Sequence, residues 1–381
     1  MATIKDKKKI FDELIIEHRR FRAVHEEILD CIQNPVRGTI IVVLGPSGVG
    51  KSRSKDLVYA ELKEHVEKNP DLQLSPPLRL EAKRPEVGDF NWKAFYDQAL
   101  RRLGEPSLER KVNLDEIVAN LRLESRSVTY RVLTTPEMRE LYEQATELRR
   151  PIATLIDEAQ SIGHCSSNDR RMANLDVIKG LSNSGNTVYV LFATYEARNL
   201  LRCNAQLARR VHLIDFNRYE ESDEDQEELL SVVEEIAKEV GFRLEPAVTR
   251  DWSYLYNNSL GCVGILAQWL ARALNHAYRH KRAHVSRADL DATRLSAQDR
   301  LTIASEIKAF EEEHRRDQDF DLVTFLKPQS QPSGNDKEET ARIARGRKKP
   351  GARNPFRDPV GQSENSKVSE RDPQGDGTHN G

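Results

Sequence analysis

Apolar positions along this chain follow two spacings. Within residues 5–33, Ile10, Leu14, Ile15, Phe21, Val24, Ile28 and Leu29 recur at helical intervals. This predicts one amphipathic helix, stopped by Asn34, Pro35 and Gly38. The next stretch, TIIVVLG (residues 39–45), is continuously apolar and ends in glycine, as a strand buried on both faces does. A helix is expected over about 50–68, then a strand at PLRLEA (77–82) and a helix over about 90–103. A further helix over 136–149 leads into PIATLID, and one over 170–183 leads into TVYVLFAT (187–194). The last strand expected is VHLIDF (211–216). Strands alternating with helices predict an α/β fold, a parallel sheet wound by helices on both faces.

Beyond Glu220 the pattern changes. Helical periodicity near 223–240, 245–257, 262–281, 287–293 and 297–316 predicts a small all-helical domain. The expected organisation is an N-terminal helical extension (1–35), an α/β domain (36–218), a helical domain (219–318) and a tail (319–381). From about residue 328 the tail has little apolar content, which predicts disorder, and it carries a basic cluster, RIARGRKKPGARNPFR (342–357). Residues 104–135 are polar, with a helical piece near 114–123.

Composition narrows the classes. A chain of 381 residues can hold an α/β core and an accessory domain, and 38% hydrophobic with 31% charged residues is a globular profile. No window approaches the apolar length that spans a bilayer, and the N-terminal MATIKDKKKIFDEL is charged throughout. A cytoplasmic protein with no membrane partner is therefore expected. Cys31, Cys165, Cys203 and Cys262 lack paired spacing, which argues against a zinc site or a disulfide framework. The net charge of −2 leaves a polyanionic partner open, because such binding depends on local patches.

The strongest chemical signal is GPSGVGKS, which matches G-x-x-x-x-G-K-[ST] in full: Gly45, Pro46, Ser47, Gly48, Val49, Gly50, Lys51 and Ser52. Backbone N–H groups that curl around phosphate need glycine's conformational freedom, and the following helix points its positive end at the same oxygens. Lys51 is expected to reach the β- and γ-phosphates of ATP, and Ser52 to coordinate Mg²⁺. ATLIDEAQ supplies a second element at the end of an apolar strand, with Asp157 for the metal and Glu158 to polarise the attacking water. Thr194 ends the next strand, placed to contact the γ-phosphate or the water, the role called sensor 1. Ahead of the last strand, QLARRVHLIDF carries Arg209 and Arg210. In an oligomer Arg210, with Arg209 in reserve, is the candidate to stabilise charge on a neighbour's γ-phosphate.

These motifs, in this order and followed by a helical region, resemble the AAA+ superfamily. Within it the chain resembles the TniB/TnsC group of transposition-regulating ATPases, relatives of MuB and IstB. The stretches that carry this resemblance are EHRRFRAVHEEILDCIQNP, LIDEAQSI and SLGCVGILAQWL, which together span residues 17–270. The resemblance implies a bacterial cytoplasmic ATPase that assembles as a homo-oligomeric ring or helical filament on double-stranded DNA. It further implies contact with a target-selection protein of the TniQ/TnsD kind and with a DDE transposase, and disassembly on ATP hydrolysis. Basic residues between the second and third strands, Arg110, Lys111, Arg122, Arg126 and Arg131, are candidates to line the channel of such a ring and meet DNA phosphates. One departure stands out: many AAA+ lids carry a nucleotide-touching arginine in a G-x-x-R pattern, whereas Gly261-Cys262-Val263-Gly264 places glycine there. The alternative reading is a replication initiator or helicase loader, which shares the same ATPase core and often adds a DNA-reading module after the lid.

Overall fold

The computed structural model describes residues 4–105, 133–184, 187–198 and 209–318. Five parallel strands form one sheet: β1 (Ile40–Leu44), β2 (Leu78–Glu81), β3 (Ala153–Asp157), β4 (Val188–Ala193) and β5 (Val211–Asp215). Their order across the sheet is β2-β3-β4-β1-β5. Because β4 lies between β1 and β3, the loops leaving these three strands emerge side by side, at strand spacings of about 5 Å. That brings the glycine-rich segment, the Asp-Glu pair and Thr194 to one edge.

Alternation within β1 explains why the sheet is covered twice. Ile40, Val42 and Leu44 join one core with Leu80, Ile156, Leu191 and Tyr96. Ile41 and Val43 face the opposite way, into a second core with Val58, Leu155, Phe192 and Phe216. The first face is closed by α4 (Trp92–Arg102), α5 (Thr135–Arg149) and α6 (Asn168–Ser184), the second by α2 (Arg19–Gln33) and α3 (Lys51–Lys68). Each fully buried large side chain contributes roughly 1.5–3 kcal/mol through its loss of contact with water.

The remaining helices are α7 (Asp223–Val240), α8 (Pro246–Thr249), α9 (Trp252–Ser259), α10 (Val263–Arg279), α11 (Arg287–Thr293) and α12 (Ala297–Gln318). Their core centres on Trp269, with Leu229, Val233, Leu255, Leu266 and Leu290. Among the described residues no helix is long and apolar enough to cross a membrane.

The single helix expected over 5–33 is in fact two, α1 (Ile4–Glu13) and α2. His18 interrupts it: its backbone is extended (φ −71°, ψ 163°) and its Nδ1 accepts from the Phe21 N–H at 3.4 Å, capping α2. Ile10, Phe11, Leu14 and Ile16 turn into the core of the helical domain, while Phe21, Val24 and Ile28 join the sheet. Helical spacing holds on both sides of the break, so periodicity alone cannot reveal it.

Candidate functional site

The glycine-rich segment leaves β1 and becomes the first turn of α3. Gly48 (φ +80°) and Gly50 (φ +125°) lie where side-chain-bearing residues are strained, and this lets the backbone curl into a cradle. The Lys51 ammonium donates to the Gly45 and Pro46 carbonyls, both at 2.9 Å. Burial lowers its pKa to about 8, against which the nearby Glu158 carboxylate acts. A buried cation held by carbonyls beside an open cradle is what an arriving polyphosphate needs.

That cradle forms one wall of a cleft of about 520 Å³. Ser47 to Arg53 line it, with Glu158, Thr194, the N-terminal segment at Ile16, His18 and Phe21, and α10 at Val263, Gly264 and Ala267. Lys51, Ser52, Glu158 and Thr194 are therefore brought together. Gly45 and Pro46 sit behind the cradle: a Cβ on Gly45 would lie 2.6 Å from the Phe216 carbonyl.

Asp157 ends β3, nearly buried at 8% exposure. One carboxylate oxygen accepts from the Glu158 N–H at 3.0 Å and the other is ion-paired with Lys55, one turn along α3 from Ser52. Glu158 is exposed and takes a left-handed backbone (φ 54°), which turns its side chain off the strand direction. Gln160 then joins two strand ends: its amide N–H donates to Glu158 at 2.6 Å, and its carbonyl accepts from the Thr194 N–H at 3.2 Å. Sequence reasoning passed over Lys55, Gln160 and His18. Gln160 stands in the quoted LIDEAQSI stretch and Lys55 lies at helical spacing from Ser52, so both carried a weak signal.

Arg209 and Arg210 lie elsewhere. They precede β5, whose first residue pairs with the start of β1, a strand length of about 16 Å from the cradle. Arg209 is exposed, and Arg210 is partly buried and donates to Asn183. Neither enters the cleft of its own chain. Arg110, Lys111, Arg122, Arg126 and Arg131 lie outside the described residues, as do Cys203 and the tail 319–381.

The glycine at the lid-arginine position has a physical reason. The Ile265 N–H donates to the Gly48 carbonyl at 3.2 Å, so the first turn of α10 rests on the cradle itself. A Cβ on Gly264 would lie 2.5 Å from that same carbonyl oxygen, and one on Gly48 would lie 2.5 Å from the Ile265 side chain. A longer residue at 264 does not fit this contact. Behind it, α12 reaches the same region: Phe310 stacks on Tyr195, which follows Thr194, with ring centroids 3.4 Å apart. Glu311 accepts from Arg218 Nε at 2.8 Å.

A second cluster, His276, His280 and Asp289, groups possible metal ligands. The Asp289 oxygens are already taken by His276, Arg282 and Ser286, which makes the cluster a cap and ion-pair network.

Residues 36–201 match the family model described as an AAA domain. The chain also superposes on the Aeropyrum pernix ORC2 protein, solved as ADPNP–ADP complexes, with a TM-score of 0.51 at 14% identity over 74% of this chain and 68% of that one. The fold is AAA+. Its hallmarks here are the five-stranded parallel sheet, the cradle after β1 and the Asp-Glu pair after β3. Two further solved structures match at lower similarity. Cdc6p from Pyrobaculum aerophilum matches at 14% identity, 70% and 64% coverage and a TM-score of 0.44. Domain III of the Thermotoga maritima replication initiation protein DnaA matches at 12% identity, 84% and 97% coverage and a TM-score of 0.41. No curated protein matches the chain by sequence. The AAA+ fold agrees with the superfamily resemblance; the narrower TniB/TnsC assignment finds no counterpart among these matches.

Proposed function

We propose that this chain is a magnesium-dependent AAA+ ATPase that acts on duplex DNA as an oligomer, in the manner of a replication initiator or helicase loader. The observation that carries the ATPase part is the convergence of Lys51, Ser52, Glu158 and Thr194 on one cleft closed by α10. In this reading the Ser47–Ser52 amides and Lys51 hold the triphosphate, and the α3 N-terminus adds its positive dipole end. Ser52 and Asp157 are the oxygen donors for Mg²⁺, which when bound neutralises phosphate charge. The Asp157 oxygens each keep a lone pair beyond their bonds to Lys55 and the Glu158 amide, so the donor set fits the ion. Glu158, steadied by Gln160, orients and deprotonates the attacking water. Thr194 senses the γ-phosphate through the same Gln160 bridge. Arg210, or Arg209, reaches a neighbouring copy's site, since neither reaches its own.

The likeness in fold to ORC2 favours the initiator or loader reading. A second reading, a transposition regulator that bridges a target-selection protein and a transposase, rests on the EHRRFRAVHEEILDCIQNP, LIDEAQSI and SLGCVGILAQWL stretches. Both readings require nucleotide-dependent DNA binding. Fluorescence anisotropy of a random-sequence duplex, with ATP, ADP or no nucleotide, tests it. Salt-sensitive binding that needs ATP and outlasts the wild type in Glu158→Gln is expected. Absence of DNA binding in every nucleotide state would remove both DNA roles.

A further inference from the structure

We infer that His18 reads the base of the nucleotide: its Nε2–H donates a hydrogen bond to a ring nitrogen of adenine. The inference rests on the nucleotide reading of the cleft and names a residue that contacts the base.

The protonation pattern of His18 follows from its neighbours. The Phe21 backbone N–H can only donate, and it points at Nδ1, 3.4 Å away. Nδ1 is therefore an acceptor, and the Tyr219 hydroxyl 2.8 Å from the same atom must donate to it. With the one Nδ1 lone pair shared by these two donors, the ring proton sits on Nε2. Burial, with help from the Arg20 charge, lowers the pKa of His18 to about 4, so the ring is neutral at physiological pH. The tautomer is thus fixed by the fold.

The free edge of the ring has somewhere to point. His18 is only 5% exposed and lines the cleft. Its Nε2 makes no hydrogen bond among the described residues, and it is not sealed among the buried unpartnered atoms, so it opens onto the cleft. An N–H fixed in direction on the cleft wall, with its ring locked in place, is preorganised to donate to an acceptor on a ligand there. Rigidity is supplied by the ring's neighbours: Tyr219, Phe21 and Phe216 lie 5.4, 5.9 and 6.4 Å from it, centroid to centroid.

The position suits a base. The cradle takes the phosphates, which leaves the end between Ile16, His18 and Phe21 on one side and Val263, Ala267 and Ala271 on the other. Ala267 and Ala271 stand four residues apart on α10 and present a flat, apolar wall. A planar heterocycle fits between apolar walls with a few polar groups at its edge, and His18 is one of them, with Gln268 on α10 another. Adenine offers only acceptors at its ring nitrogens, which match the Nε2–H donor.

The test is displacement of a ribose-labelled fluorescent ATP by ATP and by its 1-, 3- and 7-deaza analogues, on the wild type, His18→Asn and His18→Gln. Asn keeps an acceptor near the Nδ1 position and so the α2 cap, but lacks the distal donor. Gln places an N–H near the Nε2 position. Roughly tenfold weaker ATP binding is expected in His18→Asn, with near-wild-type binding in His18→Gln. One deaza analogue should lose the same factor on the wild type and nothing on His18→Asn. An Asn variant that binds ATP as the wild type does overturns the inference while leaving the nucleotide site intact. A wild type that binds no nucleotide overturns the site and the inference together. If His18→Asn fails to fold, the unmodified chain still decides: equal affinity for ATP and all three analogues overturns the inference.

Discussion

Burial leaves the Lys51 ammonium short of counter-charge. Its charge is destabilised by the low-polarity wall of the cleft, and only carbonyl oxygens and the more distant Glu158 compensate. Phosphate oxygens would favour the charged form and raise the pKa again. Above pH 8, ATP binding is then expected to take up a proton, and affinity should fall as pH rises through that value. Calorimetry at pH 9 in two buffers of different ionisation enthalpy should report uptake approaching one proton, with almost none from this group at pH 7. Identical uptake at both pH values would contradict the assignment. The stability sign is opposite. Between about 8 and the ordinary value of 10.5 the unfolded chain binds more protons at this lysine, so the nucleotide-free fold gains stability as pH rises through that window. At this scale the sequence was informative where chemistry demands a fixed spacing, as in Gly45 to Ser52 and Asp157-Glu158. It said little of Gln160, Lys55 and His18, whose partners lie 34, 102 and 201 residues away in the chain.

Among the elements, the strands and most helices were legible because each carries a clean apolar period, as in ATLID and VGILAQWLARAL. The break at Leu14–His18 was not, since the period survives it on both sides. Nor was the docking of α10 on the cradle, which depends on two glycines meeting face to face. This contact ties the start of α10 directly to the glycine-rich loop, through backbone rather than through an arginine. Gly264→Val should clash with the Gly48 carbonyl and push the start of α10 away. A loss of about 1–3 kcal/mol in stability is expected by thermal unfolding, together with weaker nucleotide binding. Unchanged stability and affinity would mean that the lid does not rest on the loop. Phe310 of α12 stacks on Tyr195, Glu311 pairs with Arg218, and Ile307 packs with Cys262 and Ile265 at the start of α10, so the end of β4, α10 and α12 share one contact chain.

Over the whole molecule, Glu158 and Arg210 lie at opposite ends of the sheet, and this is the arrangement an oligomer needs if each copy completes its neighbour's site. The parallel, doubly covered sheet follows from the alternation of strand and helix patterns. Which macromolecule the chain would act on does not, because residues 104–135 balance five basic against five acidic side chains and so carry no net charge that names a partner. In the proposed reading the cleft hydrolyses ATP, with Glu158 as the group that activates water. Phosphate release from Mg²⁺-ATP by the wild type and by Glu158→Gln, with nucleotide occupancy recorded in the same samples, tests it most directly. Turnover by the wild type is expected, with a fall on the order of 100-fold or more in Glu158→Gln at undiminished occupancy. Equal turnover by both proteins, or an empty cleft in the wild type, would contradict it.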